Sequence, residues 1–155
     1  MAWWNIPGAE LTPPVTRDRV AAWFDSQDYK YDLDDNGRTV LSGFGGNPFV
    51  VDVANDDIMA VYGRLWTNLP PSDETLDSLR ALLCRLNDNR TLPTLHTLTD
   101  DDGVQVGAKI TVSISKGFND SQLADILGTS LHAVMSTFEE IAEELGLSAD
   151  DDNDA

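Results

Sequence analysis

The spacing of apolar residues predicts an α+β domain: an antiparallel β-sheet with helices packed on one face, in the order α-β-β-β-(β)-α-β-β-α. Three observations carry this. Val104, Val106, Ala108, Ile110, Val112 and Ile114 occupy every second position, with Gln105, Gly107, Lys109, Thr111, Ser113 and Ser115 between them. That is the period of a strand with one dry and one polar face. Two stripes, Leu76-Leu79-Leu83-Leu86 and the longer Leu123-Leu127-Leu131-Val134-Phe138-Ile141-Leu145, recur at helical spacing. Finally, turn-forming Asp, Asn and Gly residues separate short apolar runs, which favours hairpins.

The elements follow in order. Residues 1–14 hold Trp3, Trp4, Ile6, Pro7, Gly8, Pro13 and Pro14; they read as an irregular arm whose indoles dock on the domain or on a partner. A first helix is capped by Thr16 and stapled by Val15 and Val20, with Val20, Trp23, Phe24 and Gln27 on one face. Tyr29, Tyr31 and Leu33 alternate with Lys30, Asp32 and Asp34 as a strand, and residues 34–37 form a turn. A second strand spans 39–41, and the glycine-rich stretch 43–48 is expected to be a flexible or bulged link. Strands 49–53 and 58–66 make a hairpin about residues 55–57. Pro70 and Pro71 end it, Ser72 caps the second helix, and Asp73 and Glu74 face the positive end of the helix dipole. Residues 93–99 lead through Asp101-Asp102-Gly103 into the long strand. Asn119 and Gln122 form a capping-box pair for the third helix, and Gly146 stops it. Trp23, Phe24, Trp66 and Phe138 stand at core-like positions. The single domain thus covers residues 15–147, and residues 148–155 read as a disordered acidic tail.

The charge narrows the function. Ten basic against 27 acidic residues give a net −17, a field that repels phosphate backbones and anionic lipid surfaces alike. Neither nucleic acid nor membrane is therefore expected as a partner. Cys84 is the one cysteine, no stretch has the length of a bilayer span, and residues 1–11 lack signal-peptide features. The chain reads as cytoplasmic.

No residue set carries chemistry. His96 and His132 lack ligands at metal spacing. Asp32-x-Asp34-x-Asn36-Gly37 opens like a calcium loop, but Gly43 stands where a bidentate glutamate belongs; Asp100-Asp101-Asp102-Gly103 fails likewise at Thr111. Cys84 lies beside Asp77, Ala81 and Asp88, and acidic neighbours deactivate a thiol. Gly43-Phe44-Gly45-Gly46 lacks both the third glycine of a dinucleotide fingerprint and the lysine of a P-loop. No catalytic residue, cofactor or metal is expected.

Thr16-Arg17-Asp18-Arg19-Val20-Ala21-Ala22-Trp23 followed by Tyr29-Lys30-Tyr31 resembles the opening of the actinobacterial branch of the YbjN family. Residues 99–103, the alternating strand after them, and Asp120-Ser121-Gln122-Leu123-Ala124-Asp125 resemble its second half. Leu92-Pro93-Thr94 departs from the family's usual aromatic-proline-lysine exit. The resemblance implies a fold like that of type III secretion chaperones and a role as a sensory-transduction regulator or chaperone-like adaptor, without catalytic residues. Residues and resemblance agree on a non-enzymatic, protein-binding domain. The rival is a small enzyme built from scattered carboxylates such as Asp52, Asp56 and Asp57; a third reading is a solubility module with no specific partner. The expected contact residues are Trp3, Trp4 and Ile6 of the arm, or the sheet's outer face with Gln105, Lys109 and Thr111. Ile126 and Met135 flank the third helix's stripe and broaden its apolar face, so a homodimer is expected.

Overall fold

The computed structural model describes residues 12–147. Its elements are α1 (Arg17–Ser26), β1 (Asp32–Leu33), β2 (Thr39–Phe44), β3 (Asn47–Val53), β4 (Ile58–Leu69), α2 (Asp73–Asp88), β5 (Thr94–Asp100), β6 (Gly103–Ser113) and α3 (Asp120–Glu144). The six strands form one antiparallel sheet in the order β1-β2-β3-β4-β6-β5. All three helices cover the same face. Among the described residues, the other face carries no helix.

The caps explain where the helices start. The Thr16 hydroxyl accepts from the Arg19 amide at 3.2 Å, Ser72 accepts from Thr75, and Asn119 and Gln122 exchange both bonds of a capping box. Leu79, Leu83 and Leu86 of α2 and Leu123, Leu127, Leu131, Val134, Phe138 and Ile141 of α3 are all buried. They meet Val40, Val51, Val61, Val106, Ala108 and Ile110 from the sheet. At Gly63 the helix comes so close that a Cβ would lie 2.7 Å from Val134 Cγ1 and 2.9 Å from the Phe138 ring. At the sheet edge, the Asn87 side chain bonds both backbone groups of Leu95, at 2.9 and 3.0 Å, and docks α2 on β5.

Four expectations need correction. The first strand shrinks to Asp32–Leu33, because the Tyr29 amide bonds the Phe24 carbonyl at the end of α1 and the Tyr29 ring packs edge-on against Trp23 and Phe44. The stretch around Gly43 is no flexible link. Strand β2 runs on to Phe44, which pairs with Asn47, and Gly45 and Gly46, with φ of 59° and 78°, form a two-residue hairpin turn. Gln105 was placed on the outer polar row but is fully buried, and Trp66 was placed in the core but is 39% exposed. Gln105 is covered because the irregular pairing of β4 between Leu65 and Leu69 inserts extra residues opposite it, while Trp66 follows Tyr62 and Arg64 on the outward row by simple alternation.

A candidate protein-binding face

The uncovered face is built from alternate residues: Pro48 and Val50 of β3, Tyr62, Arg64 and Trp66 of β4, Gly107 and Lys109 of β6, and His96 and Leu98 of β5. All of these but Lys109 border a cleft of about 540 Å³. Sheet polarity alone makes such positions solvent-facing; what distinguishes this set is its aromatic and aliphatic content. The cations on it are drawn onto rings. The Arg64 guanidinium lies 5.3 Å from the Trp66 ring centroid, and Lys109 Nζ lies 5.7 Å from that of Tyr62, its partner across the ladder.

Two acids on this face, Asp52 and Asp100, are engaged. Asp52 pairs with Arg38 at 3.3 Å and accepts from Thr39. Asp100 accepts from the Gln105 amide and the Asp102 backbone and lies 3.8 Å from Arg64. These contacts, the Gln105 bond first, hold the Asp100 carboxyl below its ordinary range. The helices, by contrast, expose Asp77, Asp88, Asp125, Glu139 and Glu143. The molecule is therefore acidic on its helical side and close to neutral on the open sheet.

Two arrangements shape the face. Gly107 leaves room for the His96 ring, which lies where a Cβ would come within 2.4 Å of Nε2. Desolvation there, with Lys109 nearby, lowers the His96 pKa below 6.5, so the ring is neutral at pH 7. Below it, the buried Gln105 amide is fully bonded: Oε1 accepts from the Thr67 and Asn68 amides at 2.8 and 3.0 Å, and Nε2 donates to Asn68 and Asp100 at 2.8 and 3.1 Å. That network fixes the bulge beside Trp66, whose own amide donates to the Asn47 side chain at 3.1 Å.

The other expected site residues fall as follows. Trp3, Trp4 and Ile6 lie outside the described residues. Lys109 and Thr111 are exposed on the open face. Ile126 and Met135 are half-buried and pack against their own core; Met135 also lines a second cleft, of about 490 Å³, with Phe44, Trp66 and Leu147. Asp52 sits in its ion pair, while Asp56 and Asp57 occupy an exposed turn, so the carboxylates of the rival reading share no pocket. Among the described residues, no group of three or more His, Cys, Asp or Glu side chains is placed to hold a metal. No described helix is long and apolar enough to cross a membrane. Sequence reasoning missed Trp66 and His96 as face residues; the signals were the alternation of Tyr62, Arg64 and Trp66 along one strand and Gly107 opposite His96, a glycine that leaves room for a neighbouring ring.

The model of the family YbjN, described as "Putative bacterial sensory transduction regulator", matches residues 16–143. The chain belongs to the YbjN family. The crystal structure of YbjN from E. coli, described as "a putative transcription regulator", superposes with a TM-score of 0.67 at 13% identity, covering 86% of this chain and 97% of that one. An uncharacterized protein from Methanothermobacter thermautotrophicus gives 0.49 at 11% identity, over 84% of this chain and 99% of that one. The likeness to E. coli YbjN is one of fold: a mixed α+β architecture with three helices on a six-stranded sheet. A comparison with curated proteins finds no match.

Proposed function

We propose that this YbjN-family chain is a non-enzymatic, protein-binding regulator, a chaperone-like adaptor that receives a segment of another protein on its open sheet face. One observation carries the reading: the sheet face that no helix covers gathers Val50, Tyr62, Trp66 and Leu98 around a neutral His96, on a molecule that is otherwise strongly acidic. Aromatic anchors with few flexible bonds dominate protein interfaces. The cleft is too shallow and too poor in polar groups to enclose a small substrate, and the family description points to regulation. The partner segment fitting this face has apolar side chains at its centre and basic residues at its flanks, which the chain's net charge of −17 attracts.

The test is the double variant Tyr62→Ala, Trp66→Ala, compared with Trp3→Ala, Trp4→Ala. A partner recovered from the native cells is titrated against each by calorimetry. The face variant is expected to lose at least about tenfold in affinity, roughly 1.4 kcal/mol, with its melting temperature kept. Full affinity in the face variant and loss in the arm variant would move the site to the arm.

A further inference from the structure

Beside its main stripe, α3 presents a second edge to the β2–β3 hairpin. Met135, Phe138, Glu139 and Ala142 recur at three- and four-residue spacing, so they share one side of the helix. With the hairpin they border the cleft of about 490 Å³. Its wall is aromatic and aliphatic. The Phe44 and Phe49 rings meet edge-on at 5.2 Å, Phe49 and Phe138 lie 6.0 Å apart, and Leu65 lines the cleft beside them. Gly146, at φ of 66°, turns the chain back so that the Leu147 amide bonds the Ala142 carbonyl at 2.8 Å, and Leu147 joins the lining. The hairpin tip leaves the mouth open, since a Cβ at Gly45 or Gly46 would meet nothing within 4 Å. Polar groups are few. The Asn47 side chain is engaged, accepting from the Trp66 amide at 3.1 Å. Glu139 is exposed and makes no ion pair among the described residues. No lysine, arginine or histidine among them lines the cleft.

We propose that this cleft is a binding site for a small amphiphilic ammonium compound, its apolar body against Phe44, Phe49 and Phe138 and its cation beside Glu139. The volume falls within the roughly 300–1,000 Å³ of ligand pockets, and a mostly apolar lining with one placed polar group is how such sites select. Three features favour a cation over a neutral molecule or an anion. Glu139 is the one charged side chain among the described residues of the lining. The faces of aromatic rings attract cations. The chain's net charge of −17 concentrates cations at its surface. A carboxylate of the same length meets all three with the wrong sign. The site is separate from the proposed partner face and shares only Trp66 with the cleft there.

The experiment titrates the isotope-labelled full chain with octylammonium chloride, 1-octanol and sodium octanoate, each below its solubility or micelle limit, and reads NMR shifts. Octylammonium is expected to give saturable shifts at the Gly45 and Gly46 amides, the Met135 methyl and the Trp66 indole. Its dissociation constant should be about 0.1–1 mM, the range for so small a ligand. Octanol should shift the same groups with about two- to fivefold weaker affinity, the scale of one exposed ion pair, and octanoate should bind more weakly still. Glu139→Gln should remove most of the preference for octylammonium over octanol. Glu143→Gln, which removes the same charge from the same helix outside the cleft, should keep it. Ala142→Phe, which fills the cleft, should abolish binding of all three with the melting temperature kept. The absence of saturable shifts at these groups overturns the proposal, as does undiminished binding in a folded Ala142→Phe chain. So does a preference that survives Glu139→Gln or falls equally with Glu143→Gln, a comparison that decides even if Ala142→Phe fails to fold. Shifts centred on Val50, Tyr62 and Leu98 would also overturn it, placing the amphiphile on the open face. No partner protein enters this readout, so the partner face and this site stand or fall separately.

Discussion

Replacing Gln105 by alanine should destabilise the domain more than a change at an outward strand position has any right to. The side chain is fully buried and accepts from two backbone amides, those of Thr67 and Asn68. The Thr67 bond is buried and the Asn68 bond only part-buried. A buried donor left unsatisfied costs about 1–3 kcal/mol, so the loss should be about 1–3 kcal/mol. With a urea m-value of about 2 kcal/mol/M for a domain of this size, the midpoint falls by roughly 0.5–1.5 M. Equilibrium unfolding followed by tryptophan fluorescence and circular dichroism measures it. A midpoint shift under about 0.3 M at unchanged m would refute the role assigned to this amide. The substitution also removes the first cause of the lowered Asp100 pKa. A carboxyl with a depressed folded pKa contributes stability that is present above its ordinary value, 3.8, and lost as pH falls through the lower folded value. The variant should therefore lose less on acidification than the parent across that window. Gln105→Glu keeps both acceptor contacts but turns a carboxylate oxygen toward Asp100, so its cost should grow as pH rises out of the carboxyl range.

The remaining predictions concern the face, the core and the termini. His96 should titrate below 6.5 by NMR, and Gly107→Ala, which displaces its ring, should bring the value back toward 6.5 while the fold persists; since a depressed histidine stabilises only while neutral, acidification from pH 6.5 through the folded value should weaken the parent. Gly63→Ala drives a methyl into Val134 and Phe138 and should cost about 1–3 kcal/mol in a chemical melt. Light scattering at micromolar concentration should give about twice the 17.0 kDa chain mass, and a constant monomer mass would exclude the homodimer. Removing residues 148–155 should move the melting temperature by only a few degrees, since their sequence offers no apolar stripe to bury.

Much of the fold was legible because it depends on local periodicity. The dry face of β6, the stripes of α2 and α3 and the three N-caps are written in residues three, four or two apart. What escaped depends on contacts distant in sequence. Alternation along β6 places Gln105 outward, and it is buried only because β4 changes register between Leu65 and Leu69 and covers it. Nothing near Gln105 marks it as a plug; its partners Thr67 and Asn68 lie on another strand. The Gly45-Gly46 turn could have been read as a hairpin turn, since paired glycines suit positive φ at both positions, but Pro48 suggested an interruption. Pro48 instead sits within β3, opposite Gly43. The open face was one of two sites expected from sequence, but its aromatic centre was not, because a large indole at the end of a strand reads as core although Trp66 shares the outward alternation of Tyr62 and Arg64.

The most direct measurement is photo-crosslinking in the native cell, with benzoylphenylalanine replacing Tyr62 on the open face or Arg80 on α2. The account predicts a discrete protein adduct from position 62, lost when Trp66→Ala is added, and none from position 80. Adducts of equal yield from both positions, or from position 80 alone, would contradict it.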